Sequence, residues 1–164
     1  MKKSRIVAIV MLIVMVSAGF TSCKSAPKEK TFSKAGVEIT LTEDFVEKDI
    51  VSQTAYFESM KSIVMVLKEE FTLFESVGLS TDMSMEEYAE IIFTGNNIES
   101  VVEEKDSLST FTYENSVSGK DFTYFATLFR SDDAYWMIQF ACETKDFESM
   151  SDQFMKWAKT VKFE

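Results

Sequence analysis

The chain of 164 residues contains no histidine. That absence removes the commonest general base, the commonest metal ligand and any histidine-assisted nucleophile. Cysteine occurs only at Cys23 and Cys142, with no CxxC spacing, so the chain carries neither a disulfide framework nor a redox pair. The five glycines are scattered singly, which excludes a glycine-rich phosphate loop. Proline occurs once, at Pro27, so no later strand or helix is interrupted by one. Basic residues are also scarce: 17 Lys and Arg stand against 27 Asp and Glu, a net charge of −10. Such a surface repels phosphate backbones and speaks against nucleic-acid binding. It also repels anionic lipid headgroups, so the folded body should stand off a membrane surface.

What the chain does have is apolar mass. Hydrophobic residues make up 46% and aromatics 13%, with 15 phenylalanines, and this composition excludes general disorder. The length suits one domain. A body of this size buries roughly two-thirds of its unfolded surface and needs no staple to fold.

The N-terminus reads as a targeting segment. Lys2, Lys3 and Arg5 precede an uncharged run from Ile6 to Phe20. A basic start and an apolar core of about 15 residues suit a signal peptide and fall short of a span of about 20. Phe20-Thr21-Ser22-Cys23 follows, and small residues before a cysteine resemble the bacterial lipobox. That resemblance implies a signal peptide over residues 1–22, removed at Cys23, and a diacylglyceryl group on the Cys23 thiol. A lipidated Cys23 cannot pair, which leaves Cys142 a lone thiol. Its neighbours Ile138, Phe140 and Ala141 predict that it is buried and structural. Loss of the three leader cations leaves 14 basic against 27 acidic residues, a net charge of −13. Two acyl chains hold a protein where one holds it only marginally. Residues 23–30 form the expected tether, polar and short, reaching at most about 25 Å.

Residues 31–164 form the expected domain, without repeats or low-complexity tracts. Val37, Ile39 and Leu41 alternate with polar residues as in a half-buried strand. Tyr56–Met60 and Ser62–Glu70 predict a hairpin turning near Lys61, with the run Ile63–Leu67 in a central, covered strand. Residues 71–80 predict a loop. Ser84-Met-Glu-Glu87 is a capping box with Met83 and Tyr88 placed as a hydrophobic staple. The helix it opens is expected to end near Thr94, stopped by Gly95, with Met85, Tyr88, Ala89 and Ile92 on its apolar face. Three strands follow, at about 107–117, 121–129 and 135–143, the first two joined through Ser118-Gly119. The last two are apolar on both faces and require cover on both. A closing helix over about 146–160 carries Phe147, Met150, Phe154, Trp157 and Val161 as one stripe. The fold class is therefore α+β, an antiparallel sheet covered by helices.

This order of elements resembles the PsbP-like fold, an α/β/α sandwich found in the extrinsic photosystem protein PsbP, in a Ran-binding protein of eukaryotes and in many bacterial lipoproteins. The residues that carry the resemblance are Gly36-Val-Glu-Ile-Thr-Leu41 with Phe45, Asp121-Phe-Thr-Tyr-Phe125, and Phe154 to Phe163. Thr42 stands where the family often has a proline. The likeness spans residues 31–163 and rests on packing residues, so it implies an architecture and no particular activity.

Acidic pairs are the remaining chemistry: Glu43-Asp44, Glu69-Glu70, Glu103-Glu104 and Asp132-Asp133. None has the spacing of a calcium loop, and adjacent acids commonly form solvated faces. Asp132-Asp133 reads as turn chemistry. The sequence thus assigns no catalytic residue, no metal site and no cofactor. It predicts a lipid-anchored module on the extracytoplasmic face of the cell membrane, tied down through Cys23. Such a module would bind or assemble with another envelope protein. A carboxylate- or metal-dependent enzyme and a small-ligand carrier are the alternatives.

Overall fold

The computed structural model describes residues 27–164. Cys23 and the signal peptide expected over 1–22 lie outside the described residues. The strands are β1 (Glu29–Lys34), β2 (Val37–Thr42), β3 (Val46–Lys48), β4 (Ala55–Glu58), β5 (Ile63–Glu70), β6 (Glu103–Lys105), β7 (Leu108–Val117), β8 (Lys120–Arg130), β9 (Ala134–Glu143) and β10 (Lys162–Phe163). The helices are α1 (Phe71–Ser76), α2 (Met85–Asn96) and α3 (Phe147–Ala158). Among the described residues no helix is long and apolar enough to cross a membrane.

Seven strands form an antiparallel sheet in the order β3-β4-β5-β9-β8-β7-β6, and β1-β2-β10 form a separate small antiparallel sheet. β9 lies at the centre of the large sheet and is buried from Ala134 to Cys142. Side chains alternate across a strand, so Trp136, Ile138, Phe140 and Cys142 enter one core while Tyr135 and Met137 enter the other. The first core is closed by α3 and by the small sheet, through Phe32, Val37, Ile39 and Leu41. α1 and α2 close the second, through Phe74, Tyr88, Ala89, Ile92 and Phe93. The two-faced apolar strands thus receive the two covers that their composition requires.

The three long strands and α3 lie where the sequence places them. Trp157 is 3% exposed, set edge-on to Phe45 at 5.2 Å, with Phe154 fully buried beside it. Ser118 and Gly119 take φ of 53° and 79°, the left-handed pair that a two-residue hairpin demands.

Other expectations are corrected. The strand over Val37–Leu41 is half-buried as expected, but the sheet is not single: this strand lies in the separate small sheet, its buried face a lid over Trp136 and Ile138. Its partner β1 begins at Glu29, inside the segment read as tether. Only Phe32 of β1 is buried, too little alternation to announce a strand. Residues 71–80 are not all loop: α1 forms at Phe71–Ser76, held by Phe74 in the second core. β5 is interior, but only Val64 and Val66 are fully buried; its other face is half-open. Gly95 does not stop α2, which runs on to Asn96 and is ended by Asn97 in the left-handed region at φ 52°.

Candidate functional site

The end of α2 and the middle of β7 enclose the most chemically specific cleft of the described residues. Ser84 starts α2 with the expected capping box: Glu87 donates its N–H to Ser84 Oγ at 3.2 Å, and Ser84 donates its N–H to Glu87 Oε2 at 2.8 Å. Tyr88, Ala89, Ile92 and Phe93 pull the helix onto the sheet. At the far end, Asn96 Nδ2 donates to the Ile92 carbonyl at 2.9 Å and the Ile98 N–H to the Phe93 carbonyl at 3.0 Å. The chain then runs past β7, where Ser100 Oγ donates to the Thr112 carbonyl at 2.8 Å.

Between these elements lies a groove of about 470 Å³, lined mainly by polar side chains. α2 and the residues after it supply Asn96, Asn97 and Glu99; β7 supplies Tyr113, Glu114 and Asn115; β9 supplies Gln139 and Met137. The deepest polar group is Gln139, only 7% exposed. Its Oε1 accepts from the Tyr113 hydroxyl at 2.5 Å. Its Nε2 donates to no other described residue and opens onto the groove. Tyr113 stacks on Tyr124 of β8 at 4.7 Å and 9°. Burial, with Tyr124 as a lesser cause, raises the Tyr113 hydroxyl above its ordinary range, so it stays a proton donor. The groove therefore offers an aromatic edge, an unspent amide donor and the Glu99 carboxylate, with no nucleophile paired to a base. The Glu114 side chain turns to the other face of β7 and accepts from the Thr123 hydroxyl at 3.4 Å.

The residues that the sequence singles out lie elsewhere. Cys23 is outside the described residues. Cys142 is 1% exposed, and burial pushes its thiol up to about 11, as befits a structural cysteine. The acidic pairs are dispersed. Glu69 accepts from the Tyr88 hydroxyl at 2.6 Å, and Glu104 accepts from the Ser109 hydroxyl. Asp133 is held below the usual carboxylate range by Lys68 at 2.7 Å and then by the Ser131 hydroxyl. Glu43, Asp44, Glu70, Glu103 and Asp132 are exposed. No three Asp, Glu or Cys side chains converge on a metal-sized site among the described residues. Gln139 was the missed signal: it is the one polar residue in the run Ala134–Cys142.

The geometry invites comparison with solved structures. The solution structure of the cyanobacterial PsbP (CyanoP) of Synechocystis sp. PCC 6803 superposes with a TM-score of 0.54 at 10% identity, over 90% of this chain and 99% of that one. The fold is PsbP-like. A crystal structure from Bacteroides thetaiotaomicron superposes at 0.52 and 9% identity, over 84% of this chain and 48% of that one, so this chain spans about half of it. LpqN, described as involved in cell envelope biogenesis of Mycobacterium tuberculosis, gives 0.47 at 9% identity, over 82% of this chain and 89% of that one. No family profile and no curated protein sequence matches the chain. The PsbP-like likeness is one of architecture, carried by the seven-stranded sheet and its two covers.

Proposed function

We propose that this protein is a lipoprotein, anchored through Cys23 outside the cytoplasmic membrane, whose PsbP-like domain is a non-catalytic binding or assembly module. The groove between α2 and β7 is its contact site. Gln139 carries the reading. Its Oε1 is taken by the Tyr113 hydroxyl, which leaves Nε2 as a donor turned to the polar groove and held in place by the central strand β9. The groove lacks an acid–base pair, so its chemistry is recognition. Small residues before Cys23 and the basic, apolar leader support the anchor and its side of the membrane.

The test is site-directed photocrosslinking in intact cells, with a benzophenone side chain placed at Asn97 on the groove rim or, as control, at Lys156 on α3. Adducts from position 97 and not from 156, on a domain that external protease digests in unlysed spheroplasts, are the expected outcome. Protection from external protease overturns the location, and an empty lane at 97 overturns the groove.

A further inference from the structure

The groove borders a sheet edge that is open where it should be covered. β6 and β7 are joined by a two-residue turn, Asp106-Ser107, with φ of 53° and 65°. In such a hairpin the flanking residues Lys105 and Leu108 form the closing hydrogen-bonded pair. Alternation then turns the backbone groups of Thr110, Thr112, Glu114 and Ser116 outward, away from β8. The bond from Ser100 Oγ to the Thr112 carbonyl confirms this direction. β6 ends at Glu103, opposite Thr110. Beyond it, the Thr112 N–H and both backbone groups of Glu114 and Ser116 have no partner among the described residues.

Proteins ordinarily blunt such edges by short strands, lysines, prolines or bulges. The opposite edge of the sheet is the three-residue β3, and β6 is three charged residues. The stretch Thr112–Val117 has none of these devices: it holds no Pro, Lys or Arg and pairs with β8 in unbroken register to Val117. Its inner side is thus fixed while its outer side is vacant.

We propose that β7 accepts an added strand, an extended lysine- or arginine-bearing polypeptide segment that hydrogen-bonds along Thr112–Val117. This rests on the reading of the groove as a contact site and names its partner. Strand addition takes affinity from main-chain bonds and specificity from pockets for alternate side chains. Residues of the added strand opposite Tyr113 and Asn115 point into the groove, where Glu99 can receive a basic side chain and Gln139 Nε2 a carbonyl. Glu99 lines it with no cation beside it among the described residues, and the chain carries a net charge of −10, so a basic side chain completes the charge. A second copy of this chain fits less well, because it would bring Glu99 and Glu114 of both chains to one seam.

The experiment pans a random heptapeptide display library on the full chain in detergent micelles and measures selected peptides by fluorescence anisotropy. Selected peptides are expected to carry Lys or Arg at alternate positions. N-methylating alternate peptide amides is expected to weaken binding about tenfold or more, as loss of two or more main-chain bonds would. Ser116→Pro removes an outward N–H that nothing uses, which an edge strand tolerates, and is expected to weaken binding equally with an unchanged melt. N-methylation needs no change in the protein, so a misfolded Ser116→Pro leaves the test intact. Binders indifferent to N-methylation, no binders at all, or self-association that alone occupies the edge would each overturn the proposal. A chain that crosslinks from Asn97 in cells yet fails here keeps its groove and loses only this assignment.

Discussion

Tyr88 of α2 lies flat on Tyr135 of β9, with ring centroids 4.6 Å apart and planes 20° from parallel. The stack fixes the helix that walls the groove, and the two hydroxyls then reach different anchors. Tyr135 Oη accepts the Met83 N–H at 2.7 Å and donates to the carbonyl of Thr81 or Met83, at 3.0 and 3.1 Å. Tyr88 donates to Glu69. Tyr135→Phe leaves the Met83 N–H without its acceptor, at a cost of about 1–3 kcal/mol. A denaturant melt should show it, with a smaller loss for Tyr88→Phe because Glu69 is only half-buried.

The closing helix gives a graded series. Trp157→Ala should cost about 3–5 kcal/mol, since the indole is buried between Phe45, Phe140 and Phe154. Trp157→Phe should cost clearly less. The Trp157 Nε1 is buried and has no partner among the described residues, so no hydrogen bond is lost with it. Lys156→Ala should be silent, and Lys159→Ala should lose at most about 1 kcal/mol, the worth of its surface pair with Asp106 at 2.7 Å. Urea unfolding of the four variants orders them.

These cases also mark what the sequence made readable. The two-faced apolar runs declared β8 and β9, the Ser118-Gly119 turn declared β7 beside them, and the stripe Phe147–Trp157 declared α3. β1, β10 and α1 bury one residue each or none, and exist because the neighbouring core needs a lid. The groove was illegible for another reason. Tyr113 and Gln139 stand 26 residues apart, and only the pairing of β7, β8 and β9 makes them neighbours. Asn97 in place of Gly95 as the end of α2 was a choice between two residues that both tolerate the left-handed region.

Glu143 provides a pH test. Lys120 at 2.7 Å and Lys145 at 2.5 Å hold its carboxyl at about 2, below its ordinary 4.5. A lowered folded-state value gives stability that is complete above about 4.5 and lost as pH falls through about 2. Glu143→Gln should therefore melt earlier than the parent at neutral pH, and the two curves should converge as the pH falls below about 2. The cluster lies at the surface, so added salt should narrow the gap.

The anchor has its own measurement. Cys23→Ala should abolish labelling by an alkyne fatty acid and leave the precursor uncleaved. Equal labelling of both chains would sink the lipid assignment.

The described chain begins at Pro27, which lines a cleft with Trp157 on the side of the sheet covered by α3. The groove opens on the opposite side. Packed layers lie about 10 Å apart, and β9 stands between the two as a buried partition. Sites at that separation with no shared partners act as independent accounts of free energy. A double-mutant cycle pairing Gln153→Ala, in the cleft beside Pro27, with Gln139→Ala should thus close to within about 0.5 kcal/mol, whereas Trp157 packs on Phe140, the strand neighbour of Gln139, and would couple to it. Under the proposed anchoring through Cys23, the tethered end of the domain and its groove would then be separately adjustable, each free to vary without retuning the other.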